Sequence, residues 1–259
     1  MKNKLLPLGL FVVLILLWQW FSARGVVAFW IVPSPLDVLK VFPQKSDLIW
    51  HHIQPTLLAA ITGLLISIMI GSLTAILMDA SKLFKQLIYP YLVISQTVPV
   101  IAVAPLIIIW FGYGVSAKIF MVILMCFFPI TLGLFEGFQG VPVEQIRLMK
   151  AMGASSYKCF RYLKLPASLP GFFTGLKLAA TYSVMGAVIG EWLGGSAGLG
   201  IYMTRATKSF QTADVFAVIL VIIVLSLALF GLVAALDRFF LSWRYRHQDE
   251  YIEPKKLPQ

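Results

Sequence analysis

The sequence predicts an all-α, polytopic membrane protein with about six transmembrane helices, and three observations predict it. Of 259 residues, 59% are hydrophobic and 12% charged, against roughly 25% charge in soluble domains. Apolar runs of about 20 residues, the length that crosses about 30 Å of hydrocarbon, recur through most of the chain. Lys and Arg fall in the gaps between these runs. A barrel is excluded because alternating strands of about ten residues do not occur, and in lipid a single segment satisfies its own backbone only as a helix.

The first predicted span, Leu5 to Phe21, follows Lys2 and Lys4. That pattern also fits a signal peptide, but Trp18, Trp20 and the lack of a small-residue cleavage site favour a retained helix. The second span is Thr56 to Met78. The third, Leu87 to Phe111, is read as one helix with a kink at Pro99 and Pro105 that lines a cavity beside Gln96 and Thr97. The fourth is Ile119 to Phe138. The fifth, Phe172 to Gly190, holds Lys177, which is expected to snorkel, and Thr181, Ser183 and Gly186, with Glu191 at its outer end. The sixth is Val215 to Phe239. These give a first helix with an outer segment (1–55), a membrane domain (56–245) containing a long loop (144–170), and a tail (246–259).

Orientation follows from where the cations fall. Fourteen of the 21 Lys and Arg residues lie on the side that holds Lys2 and the 144–170 loop, six lie opposite, and Lys177 lies inside a span. Both termini are therefore predicted to be cytoplasmic in a multi-pass protein embedded in the bilayer.

Several chemistries are disfavoured. The net charge of +10 forms no basic stripe with interleaved aromatics, so nucleic acid is not a predicted partner. Cys126 and Cys159 share no paired spacing and read as free thiols. His51 and His52, adjacent on a helix, point apart and make a poor metal site. No Walker A pattern occurs, so ATP would have to be used by a partner. No catalytic constellation stands out, and no cofactor is predicted for this chain.

The most informative segment is VPVEQIRLMKAMGASSYKCFRYLKLPASLPG. Ile146, Met149, Met152, Tyr157, Phe160 and Leu163 recur at helical spacing with cations between them. Two short amphipathic helices are predicted to meet at Gly153-Ala154-Ser155-Ser156, where Gly permits the turn and Ser caps the second helix. Leu165-Pro166 and Leu169-Pro170 are expected to stop that helix and redirect the chain into the fifth span. The rival account is a basic helix lying on anionic headgroups.

This segment resembles the cytoplasmic loop of binding-protein-dependent ABC importer permeases, whose signature runs Glu-Ala-Ala, three residues, Gly, nine residues, Ile, one residue, Leu-Pro. Gly153, Leu163, Leu165 and Pro166 fall on it, while Arg147-Leu148-Met149 stands in place of the opening triplet. GLKLAATYSVMGAVIGEWLGGSAGLGIYM, residues 175–203, is similar to the nitrate, sulfonate and taurine branch. The resemblance implies the type I (MetI-like) permease fold and a homodimer with two ATPase subunits and an extracytoplasmic solute-binding protein. It implies coupling to the ATPase through Arg147, Lys150, Ala151, Gly153, Ala154, Leu163, Leu165 and Pro166. A translocation path would run past Gln96, Thr97, Pro99, Thr181, Ser183, Gly186 and Glu191. Helix packing through small polar residues is the other account of those seven. By resemblance the solute is a pyrimidine precursor of thiamine, with sulfonate, taurine or nitrate as the alternative. An ion-coupled secondary transporter would show paired ionisable residues near mid-membrane or inverted repeats, which the sequence does not display. The segment GGSAGLG is read as a flexible outer loop.

Overall fold

The computed structural model describes residues 2–25, 27–192 and 194–242, and the tail from 246 lies outside them. In chain order the helices are α1 (Lys2–Ala23), α2 (Pro35–Gln44), α3 (Ser46–Ala80), α4 (Lys82–Ser95), α5 (Val100–Phe111), α6 (Val115–Gln139), α7 (Val143–Ala151) and α8 (Ser156–Cys159). A π-helical turn (Phe160–Lys164) then leads into α9 (Leu165–Trp192), followed by α10 (Leu199–Lys208) and α11 (Thr212–Phe240). No strand occurs among the described residues.

Among the described residues, four helical segments are long and apolar enough to span a membrane: Ser46–Ala80, Val115–Gln139, Ser156–Trp192 and Thr212–Phe240. They correspond to four of the six expected spans. The third expected span is corrected. It is broken, not kinked, into α4 and α5, whose axes differ by 107°, and counts as a fifth span if the pair is taken together. Pro99 explains the site of the break: it holds Val98 out of helical geometry and itself stands at the start of α5. Pro105 sits inside α5 without breaking it. In the first helix the apolar stretch is Gly9–Ala23, shorter than the other spans. With 35 residues, α3 is about 50 Å long at 1.5 Å per residue, more than the about 30 Å of hydrocarbon. It begins ten residues before Thr56, so the expected boundary at 55–56 falls inside it.

The expectation that the two Leu-Pro pairs stop the loop helix is also corrected, because α9 runs unbroken through Pro166 and Pro170. The π turn is the reason. Leu165 donates its N–H to Phe160 O, five residues back. Pro166 therefore enters a first turn where a missing N–H costs little.

The centre of the fold is the contact between α6 and α9, the most extensive helix pair among the described residues. Lipid tails are as apolar as leucine, so helices in a membrane associate by close packing rather than by escape from water. Here Gly133 and Gly137 of α6 meet Gly171 and Gly175 of α9. A methyl on Gly175 would overlap Pro129 O, and one on Gly171 would overlap Gly133 O. Ala59, Ala60 and Leu64 of α3 and Val233 of α11 complete the same core. Large apolar side chains such as Leu65, Met69, Val224 and Leu227 point outward, as lipid permits. Lys177, expected to snorkel, instead pairs with Asp237 and ties α9 to α11.

Candidate coupling and translocation sites

The basic loop folds as its spacing predicts. α7 ends at Ala151, Gly153 turns the chain at φ +83°, and the Ser155 hydroxyl accepts a hydrogen bond from Lys158 N at 3.3 Å to cap α8. A Cβ on Gly153 would meet nothing within 4 Å, so the requirement for glycine there is conformational only. Arg147, Lys150, Ala151 and Gly153 are exposed, and Ala154 is half-buried. Around them Leu148, Met152, Tyr157 and Tyr162 are 62–79% exposed. Leu148 and Met152 stand about one helical turn apart, next to the cations Arg147 and Lys150 in the chain, and exposed apolar side chains of this kind are candidates for a contact with a partner. Leu163, Leu165 and Pro166 form the half-buried root, where Leu165 and Phe160 pack on the cluster of Met78, Phe135 and Phe138.

At the helix break, Gln96 N and Thr97 N donate to Val93 O (3.2 Å) and Ile94 O (2.9 Å), closing α4. Pro99, extended at ψ 114°, starts α5. Beside the break is a cavity of about 410 Å³, lined by Ser95, Gln96, Met125, Tyr182 and Met185 among others. Gln96, Thr97, Pro99 and Thr181 are exposed. Ser183, Gly186 and Glu191 are buried in the helix packing of the chain. Ser183 Oγ donates to Ala180 O at 2.8 Å inside the packing. A Cβ on Gly186 would stand 3.1 Å from Val122 Cα.

Glu191 lies in a closed polar network with no exposure. Thr56 Oγ1 lies 2.8 and 3.0 Å from its two carboxylate oxygens, Lys118 Nζ lies 3.3 Å from Oε1, and Gly200 N donates to Oε2 at 2.9 Å. The same groups pin the GGSAGLG segment, which is therefore not the flexible loop that its composition suggests. Ala197 O accepts from Lys118 Nζ at 2.7 Å, His52 Nδ1 accepts from Gly198 N at 3.0 Å, and Thr56 Oγ1 accepts from Leu199 N at 2.9 Å. Gly198, at φ +140°, leaves no room for a Cβ against the Glu191 carboxylate. The His52 ring stacks on Tyr202, 5.2 Å between centroids. Burial, and then the Asp214 carboxylate that accepts from the Tyr202 hydroxyl at 3.1 Å, hold that phenol above its ordinary range. Lys118 and Thr56 were not legible as partners of Glu191, nor His52 as the acceptor for Gly198 N. The available signal was a lone Lys early in one apolar run and a lone Glu ending another, since buried charges need partners.

A loop with an exposed basic and apolar tip, rooted in a bundle with one broken span beside a cavity, defines a membrane translocation component. Residues 67–241 match the family described as binding-protein-dependent transport system inner membrane component, and the chain belongs to that family. It is thus a multi-pass inner-membrane permease subunit of an ABC importer for a small solute, itself without enzymatic activity, and membership implies an ATPase and a binding protein as partners. A probable ABC transporter permease of Haemophilus influenzae is 38% identical, over 93% of this chain and 100% of its own length. The formylaminopyrimidine transport permease ThiX of Halalkalibacterium halodurans is 36% identical, over 92% and 95%. A putative aliphatic sulfonates permease, SsuC of Bacillus subtilis, is 31% identical, over 96% and 89%. Among solved structures, an amino acid ABC transporter superposes with a TM-score of 0.63 at 16% identity, covering 76% of this chain and 96% of that one, which shows the fold.

Proposed function

We propose that the chain works as a homodimer with two ATPase subunits and an extracytoplasmic binding protein, with both termini in the cytoplasm, and carries a pyrimidine precursor of thiamine inward. The observation that carries the coupling part is the Gly153 turn with its exposed Leu148, Met152, Tyr157 and Tyr162, continuous through the π turn with a membrane-spanning helix. Arg147, Lys150, Ala151, Gly153 and Ala154 form the contact on the ATPase, and Leu163, Leu165 and Pro166 transmit its motion. Closure of the ATPase dimer on ATP draws the two loops together and opens the path outward; hydrolysis resets it. Such coupling requires that each state of the ATPase favour a different arrangement of the spans.

The path runs past Gln96, Thr97, Pro99 and Thr181. Two observations support a neutral heterocycle as solute. One is the 36% identity to ThiX. The other is the cavity at the break, lined by Ser95, Gln96, Tyr182, Met125, Met185 and aliphatic residues, with no Lys or Arg. A carboxamide offers a donor and an acceptor to a heterocycle edge, and a ring face offers stacking. The sulfonate, taurine or nitrate reading is favoured by the relative SsuC, but an anion would enter this cavity without a cation to receive it. The test is uptake of labelled formylaminopyrimidine into vesicles that hold the permease, ATPase and ATP, with the binding protein outside. Competition by unlabelled formylaminopyrimidine and none by taurine or nitrate is expected; the reverse pattern overturns the substrate.

A further inference from the structure

Asp79 is the next-to-last residue of α3 and breaks a local preference. A helix C-terminus carries partial negative charge and favours cations, not a carboxylate. The tertiary structure supplies the compensation. Lys164 Nζ lies 2.8 and 2.9 Å from the two carboxylate oxygens, and Gln139 Nε2 donates to Oδ1 at 3.2 Å. The Asp79 side chain is 6% exposed and that of Lys164 22%. Lys164 ends the π turn and Gln139 ends α6, so one carboxylate joins the inner ends of α3 and α6 to the root of the loop.

What surrounds this junction makes it more than a surface contact. A cavity of about 460 Å³ separates Ile76 and Ala80 of α3 from Ile146, Lys150 and Tyr157 of the loop. The body of the loop therefore does not pack solidly on α3, and among the described residues no other ion pair links residues 143–164 to α3 or α6. α4 begins at Lys82, three residues after Asp79, and ends beside Gln96 at the path cavity. α4 thus connects the Asp79 junction to the break in the span.

We propose that Asp79 is a positioning residue for transport: its bridge to Lys164 makes α3 and α4 follow the coupling loop, so that ATP-driven motion reaches the cavity at Gln96. This inference rests on the coupling role proposed for the loop, and the experiment separates the two. The full complex with its ATPase carries Gln96→Cys in a background where Cys126 and Cys159, both buried, are replaced by Ser and Ala. The rate of labelling by a membrane-impermeant maleimide is read with and without ATP. With Asp79 intact, ATP changes the rate by about tenfold, within the range usual for coupled sites. Asp79→Asn and Lys164→Met remove that response while the ATPase still co-purifies and hydrolyses ATP. Lys164→Arg keeps the response, and the exchange Asp79→Lys with Lys164→Asp restores it; loss of the ATP response while the ATPase stays bound and active is the readout that a merely structural role would not move. Lys164→Met, at a partly exposed position, reads out the proposal even where Asp79→Asn fails to assemble. A response unchanged in Asp79→Asn or Lys164→Met overturns the proposal alone. No response to ATP with Asp79 and Lys164 intact overturns the coupling role and this inference with it.

Discussion

Replacing Lys118 by Met leaves the Glu191 carboxylate buried among α3, α6 and α9 without its cation. Both side chains are closed from solvent, at 6% and 0% exposure. Removing one member of such a pair costs about 3–5 kcal/mol. Thr56 and Gly200 N still serve the carboxylate, which places the loss near the lower end, about 3 kcal/mol. The Ala197 carbonyl also loses its donor, so the GGSAGLG segment loosens. For a chain of this size about 3 kcal/mol lowers the unfolding midpoint by about 6–12 °C. Thermal unfolding in detergent measures it. In the double variant Lys118→Met with Glu191→Met, no charge is stranded, and most of the loss is recovered. A Lys118→Met protein that unfolds with the parent, or a double variant no better than the single, refutes the buried-network account.

Two further outcomes follow from the packing and the loop. Gly175→Ala forces α6 and α9 apart at Pro129 O, with an overpacking cost of about 1–3 kcal/mol that detergent unfolding detects; an unshifted midpoint contradicts the close crossing. Gly153→Trp faces open space but needs a left-handed backbone at φ +83°, so membrane insertion persists while ATP hydrolysis and uptake separate; unchanged uptake per ATP removes the turn from the coupling surface. The cap of α2 offers a pH readout. The Ser34 hydroxyl, and next Lys40, hold the Asp37 carboxyl below its ordinary value. That contribution is present above the unfolded value and lost as pH falls through the folded one. Ser34→Ala moves the titration of Asp37 upward by NMR, and an unmoved titration contradicts the cap.

The membrane class, the order of the long helices and the turn at Gly153 were legible because each rests on local information: run length, cation placement, helical spacing and the conformational freedom of glycine. The errors share a cause. Pro166 reads as a helix stop, but the π turn formed by Phe160–Lys164 receives it, and no local pattern announces that turn. Pro99 and Pro105 look alike in sequence, yet the first precedes a new helix and the second lies within it. Thr56, Lys118 and Glu191 are far apart in the chain and meet only through α3, α6 and α9. GGSAGLG looks mobile because composition reports what the backbone can do, while its hydrogen bonds to His52 and Thr56 decide what it does.

The most direct test of the account compares energy sources. Vesicles holding the permease and its ATPase, with the binding protein and labelled formylaminopyrimidine outside, are loaded either with ATP or with an ion gradient alone. Accumulation with ATP and none with the gradient is predicted; accumulation driven by the gradient without ATP would contradict the importer assignment of the coupling loop.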